Sequence, residues 1–304
     1  MAFAEPLYFL VCRDRQKVGG VRDPKMVRDF RDRKTGGWPS QDNIVKLPER
    51  HFSVEFGNEW SGRLWLITHG FNVNGPSGAS SCGEMVREGF GADLVMPVLW
   101  PGDWYVRGVN YPFELGDAVD TGRRLATWLC DNVPKAEVSI ISHSLGARVA
   151  LSAAAELAVK KNAPRMGQLI LMAAAADHAV LEWPAYREGL KRFKSVTVLA
   201  SVEDEVLKDA YPIGDKLENF WWGERGSGVA LGLEGPRTQT IPGLPHLMTV
   251  RIPADRKHEH GSYLPSPLDP PPNAWRWGWD LNRLSARNYL VKRTYDPFTD
   301  FPWV

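Results

Sequence analysis

Residues 137–156 read EVSIISHSLGARVALSAAAE. A largely apolar run, Val138 to Ile141, stops at Ser142-His143-Ser144-Leu145-Gly146, and an Ala/Leu-rich helical pattern begins at once. An apolar run without a polar face is what a strand covered on both sides looks like. A covered strand that turns straight into a helix admits few architectures, chiefly helices packed on a parallel sheet. The polar residues at the join need a reason, because buried hydroxyl and imidazole groups cost free energy unless they are satisfied or used.

The same rhythm recurs. Strand-like runs occur at Leu7 to Cys12, Arg63 to Thr68, Leu94 to Leu99, Gln168 to Ala173, Ser195 to Ala200 and Met248 to Ile252. His51 to Phe56 (HFSVEF) alternates and reads as an edge strand, which makes eight strands in all. Helical patterns fall at Gly83 to Gly89, Asp120 to Asn132, Ala147 to Lys161, Tyr186 to Phe193 and Trp279 to Val291. Strands alternating with helices predict an α/β fold with a mostly parallel central sheet, built as a single domain over 1–304. Three segments break the rhythm. Residues 13–50 carry many bases and acids and read as a solvated excursion between two strands. Residues 207–245, with their glycines and paired tryptophans, read as an irregular lid-like insertion. Residues 265–304 hold a Pro/Trp-rich stretch, a closing helix and the tail.

Composition narrows the classes. A formal net charge of +1 over 304 residues gives no global field for nucleic acid or an anionic membrane. No stretch approaches the roughly 18 apolar residues of a membrane span. Three widely spaced cysteines, Cys12, Cys82 and Cys130, fit neither a disulfide framework nor a zinc site. A reducing cytoplasm is the expected compartment. The opening MAFAEPLYFLVCRDR has no basic segment before its short apolar run and reads as a first strand rather than a signal peptide.

Ser142-His143-Ser144-Leu145-Gly146 is a variant of the pattern G-x-S-x-G, with a small serine for the first glycine. In that pattern a sharp strand-to-helix turn exposes the middle residue, so Ser144 is the candidate nucleophile and Ser142 the small residue beside it. The following helix aims its N-terminal N–H groups at developing negative charge. Acyl transfer needs two such donors. Leu145 is one candidate, and Phe71 in THGFN, after the third apolar run, is the other. His69 and His143 read as structural residues. Trp100, Trp104, Trp221 and Trp222 are candidate walls of an apolar substrate pocket, or else packing residues.

CRDR, THGFN, LWPGDW (99–104), SHSLG, ASVEDEVL (200–207) and HEHGSY (258–263) together resemble the alpha/beta-hydrolase superfamily, serine esterase and lipase type. More narrowly they resemble a bacterial group of unknown function. The resemblance spans about Leu7 to Val291. It implies the alpha/beta-hydrolase fold and the chain order serine, acid, histidine. The implied acid is Asp204, with Glu203, Glu205 and Asp177 as rivals. The implied base is His260, with His258 as its rival. His246 precedes the last strand and is out of order. His258 and His260 could instead be metal ligands, but no third ligand is near in sequence. The expected activity is carboxylic-ester hydrolysis through an acyl-enzyme on Ser144, acting on a small-molecule ester without a cofactor. The alternatives are an acyltransferase or thioesterase using the same groups, and a scaffold protein of this fold that has lost activity.

Overall fold

The computed structural model describes residues 6–30, 41–71, 73, 78–79, 82, 93–103, 111–212, 227–244, 246–254 and 257–263. Its centre is an eight-stranded sheet, β1 (Pro6–Arg13), β2 (Val21–Phe30), β3 (Arg63–Thr68), β4 (Leu94–Leu99), β5 (Glu137–His143), β6 (Arg165–Met172), β7 (Phe193–Ser201) and β8 (Leu247–Ile252). The spatial order is β2-β1-β4-β3-β5-β6-β7-β8. Every pair is parallel except β1 with β2. Helices α1 (Phe52–Phe56), α2 (Tyr111–Asn132), α3 (Gly146–Val159), α4 (Pro184–Leu190) and α5 (Leu231–Glu234) accompany it. The β3 and β5 runs are buried along almost their whole length, as strands covered on both faces must be.

The expected strand count holds, but one member changes. HFSVEF is not an edge strand; Phe52–Phe56 is the short helix α1. Its alternation is coincidental. Phe52 and Phe56, four apart, are the pair that packs, with ring centroids 4.7 Å apart, and Phe52 also meets Trp60 and Trp128 edge-on. Val54, which an alternating strand would bury with them, is 79% exposed. Burial at i and i+4 is helical spacing.

The edge strand comes instead from the segment read as a solvated excursion. β2 pairs antiparallel with β1 from Pro6↔Phe30 to Arg13↔Val21. An edge strand tolerates Pro24 and several charges because one rim of its backbone needs no ladder partner. Met26 and Val27 are nonetheless buried, as is Ile44 in the 3-10 turn Gln41–Lys46 that follows.

Helix α2 begins nine residues before its predicted start. Glu114, Leu115 and Ala118 in the added turns are all buried. α2 and α3 pack closely: a Cβ on Gly122 would lie 2.5 Å from the carbonyl oxygen of Val149. The helix expected at Gly83 to Gly89 and the closing helix at Trp279 to Val291 lie outside the described residues. Of the 207–245 insertion, the described parts include one π turn, Val206–Ala210, and α5. No helix among the described residues is long and apolar enough to cross a membrane.

Candidate active site

β5 ends at His143, and Ser144 follows with a φ of 53°. A left-handed φ at a non-glycine residue costs on the order of 1–3 kcal/mol and persists only where its surroundings hold it. Here both backbone groups of Ser144 are held. Its N–H donates to the carbonyl of Met172 (3.0 Å), and its carbonyl accepts from the N–H of Ala175 (3.1 Å). The loop after β6 thus grips the turn from the side.

The turn is also crowded from β3. A Cβ on Gly146 would fall 2.4 Å from the carbonyl oxygen of His69, which is impossible without moving backbone. A Cβ on Gly70 would fall 2.8 Å from the Cβ of Ser144 and 3.3 Å from its Oγ. Glycine at 146 lets α3 start against β3, and glycine at 70 lets the THGF loop lie beside the serine hydroxyl. Ser142 is fully buried at the small first position, its Oγ donating to the carbonyl of Ile170 (3.3 Å).

The structure brings Ser144, His260 and Asp204 together across 116 and 56 residues of chain. Ser144 Oγ stands 2.8 Å from His260 Nε2, and His260 Nδ1 stands 2.8 Å from Asp204 Oδ2. Asp204 is fully buried, and its other oxygen, Oδ1, accepts the N–H of Leu207 (2.9 Å) at the start of the π turn. Glu203 and Glu205 flank it on the same loop at intermediate and exposed positions. Asp177 is spent elsewhere, accepting from the N–H of Ala179 and the Oγ of Ser227 at 2.7 Å each.

His258 does not compete for the serine. It is buried edge-on against Tyr263, with ring centroids 4.3 Å apart, and burial lowers its pKa to about 4. The two histidines of HEH therefore face different surroundings. Among the described residues no group of three or more His, Cys, Asp or Glu side chains could hold a metal ion.

Leu145 caps α3 with helical φ and ψ, so its N–H lies in the first turn, where donors have no intrahelical acceptor. Phe71 follows Gly70 on the loop beside the Ser144 hydroxyl and is half-buried against the core. His69 props this loop. Its Nδ1 lies 3.0 Å from the Gly70 carbonyl, its Nε2 accepts the Trp100 N–H (3.3 Å), and its own carbonyl accepts the Trp100 indole N–H (2.8 Å). Burial pushes its pKa down to about 3, so the ring is neutral near pH 7.

Trp100 is accordingly corrected. It was expected to be a substrate wall or packing, and it is packing: fully buried, stacked on His69 with centroids 5.5 Å apart. Trp104, Trp221 and Trp222 lie outside the described residues.

One support was not foreseen. Arg13, at the end of β1, is fully buried and its Nη2 lies 2.6 Å from Asp103 Oδ1. Its Nη1 reaches the Trp100 carbonyl (3.4 Å), and Asp103 Oδ2 accepts the N–H of Val18 (3.2 Å). Val73 pairs its N–H with the Gly102 carbonyl (3.3 Å), which ties the THGF loop to the same clamp. The available signal was a charged residue at the end of one apolar strand, Arg13, and another in the loop just after a second, Asp103. Removing one partner of a buried ion pair strands the other. Asp103→Ala is therefore expected to lower the free energy of unfolding by about 3–5 kcal/mol. Urea denaturation would read this, and a loss below about 1 kcal/mol would mean that the guanidinium is hydrated in solution.

A family model described as "Alpha/beta hydrolase of unknown function (DUF900)" matches residues 48–217, more than half of the chain. No curated protein matches. Among solved structures, the chain is similar to a hyperthermophilic esterase from Pyrobaculum calidifontis, at 12% identity and a TM-score of 0.44, over 96% of this chain and 87% of that one. It is also similar to the carboxylesterase EstE1 cloned from a metagenomic library, at 11% identity and a TM-score of 0.39, over 95% and 86%. The ydeN gene product of B. subtilis aligns at 16% identity and a TM-score of 0.29, over 47% of this chain and 73% of that one.

Proposed function

The chain belongs to the alpha/beta hydrolases of unknown function (DUF900), and from that premise we propose that it is a serine hydrolase cleaving carboxylic esters through an acyl-enzyme on Ser144. One observation carries this reading: a serine held at a φ of 53°, with its Oγ 2.8 Å from an imidazole whose other nitrogen is 2.8 Å from a buried carboxylate. The chain order serine, acid, histidine agrees with the family's.

In this reading neutral His260 takes the Ser144 proton at Nε2 as Oγ attacks the carbonyl carbon. Asp204 accepts the Nδ1–H bond, which fixes the tautomer and stabilises the imidazolium. The N–H groups of Leu145 and Phe71 receive the oxyanion. Collapse of the tetrahedral intermediate breaks the bond to the alcohol oxygen, which leaves with the proton from His260. Water, deprotonated by the same nitrogen, then releases the acid and restores Ser144. A reducing cytoplasm is the compartment this reading proposes. It is supported by the three cysteines, Cys12, Cys82 and Cys130, being free rather than paired.

The test is chemical. An alkyl fluorophosphonate incubated with the native protein is expected to form one adduct, located on Ser144 by peptide mass mapping. p-Nitrophenyl esters of graded acyl length are expected to be hydrolysed at differing rates. An unmodified Ser144 together with no hydrolysis across the panel would favour the inactive scaffold.

A further inference from the structure

Among the described residues, the chain that carries His260 has no ladder of its own. β8 ends at Ile252, and His260 opens a 3-10 turn, His260–Tyr263, eight residues later. Between them Lys257 takes a φ of 47°, another left-handed non-glycine residue. A segment with this little regular structure must be located by something else if its imidazole is to stand at hydrogen-bond distance from Ser144.

Two side chains at strand ends do this. Ser201, the last residue of β7, donates its Oγ–H to the carbonyl of His258 (2.7 Å). His143, the last residue of β5, stands with its Nε2 2.9 Å from the carbonyl of His260. The carbonyls so held are the two on either side of Glu259. Since a carbonyl only accepts, the His143 proton is on Nε2, and Nδ1 is bare. That Nδ1 is buried and has no hydrogen-bond partner among the described residues. It faces the THGF loop, since a Cβ on Gly70 would lie 3.1 Å from it. The ring is thus wedged between Gly70 and the His260 carbonyl, one residue from Ser144. Burial, and next the proximity of His260, lower its pKa to about 3, so it stays neutral with one proton near pH 7.

We propose that His143 is a positioning residue of the hydrolytic site: its Nε2–H holds the His260 carbonyl and so fixes the base against Ser144, with Ser201 holding the carbonyl two residues upstream. This rests on the serine-hydrolase reading above. Nucleophile and base are thereby referenced to one rigid strand end, β5, rather than to two independent loops.

The experiment separates position from general packing. The probe is an alkyl fluorophosphonate, with its inactivation rate constant kinact and its reversible constant KI measured separately. A glutamine amide reaches the place of Nε2, whereas an asparagine amide stops near Nδ1. His143→Gln is expected to keep kinact within about threefold. His143→Asn is expected to lower it by about 10- to 100-fold, the scale of a misplacement near 1 Å, with KI changed by less than about twofold. Ser201→Ala is expected to lower kinact by a smaller factor, about three- to tenfold, and carries the test alone if His143→Asn does not fold. Equal kinact in the Asn and Gln variants overturns the proposal, as does a loss expressed in KI. Labelling retained by Ser144→Ala overturns the hydrolase reading itself, and the role of His143 falls with it.

Discussion

Ser144→Ala is expected to abolish fluorophosphonate labelling and to lower ester hydrolysis by at least about 10⁴-fold in kcat, with little change in KM. The size follows from how a nucleophile and its base work as a unit, so that losing the nucleophile removes the whole covalent route. What survives is attack by water assisted by the oxyanion donors, which the substitution leaves in place. The fold is expected to persist, because both backbone groups of Ser144 are held by Met172 and Ala175 whatever the side chain. A second variant exposes the strain. Alanine at a φ of 53° keeps the left-handed penalty, whereas glycine does not. Ser144→Gly is therefore expected to be as inactive as Ser144→Ala but more stable than it by about 1 kcal/mol, read from paired urea denaturations. Equal stabilities would mean that the turn is relaxed in solution. Full activity in either variant would remove Ser144 from the mechanism.

The join between β5 and α3 was legible because it breaks a local rule in a recognisable way. Polar residues at the end of a covered strand have few uses, and their spacing names one of them. The same reasoning separated His143 and His69 from the base. One ring braces the His260 turn and the other the THGF loop. β2 was hidden because an edge strand is under weak hydrophobic pressure. Its charges and Pro24 are what an unpaired rim permits, and they are also what a surface loop contains. α1 was misread because five residues hold too few repeats to tell alternation from i, i+4 spacing. The Arg13–Asp103 clamp was hidden for a different reason. Its partners lie 90 residues apart, and burying a charge is the opposite of what either residue type suggests. Only the three-dimensional path of β1 and β4 brings them together. Trp100 shows a limit of composition: an aromatic beside the THGF loop can as well be its prop as the wall of a pocket.

Asp204→Asn is expected to lower kcat by about 10⁴-fold with KM nearly unchanged, whereas Glu203→Gln and Glu205→Gln are expected to stay within about threefold of the native rate. The asymmetry comes from what each oxygen of Asp204 does. Oδ1 accepts the Leu207 N–H at 2.9 Å, and an asparagine carbonyl oxygen keeps that bond, so the π turn after β7 remains capped. Oδ2 accepts from His260 Nδ1 at 2.8 Å, and there the amide presents an N–H in place of a lone pair. His260 must then accept at Nδ1, which moves its own proton to Nε2, the nitrogen that faces Ser144 Oγ at 2.8 Å. An Nε2 that already carries a proton cannot take another from the serine, so the site keeps its shape and loses its base. Glu203 and Glu205 make no such bond to either histidine nitrogen, and removing their charges changes only a water-screened field. Steady-state kinetics on the fastest p-nitrophenyl ester would decide between them. A loss in Glu203→Gln or Glu205→Gln equal to that in Asp204→Asn would move the acid to that neighbour and require the loop to rearrange when substrate binds.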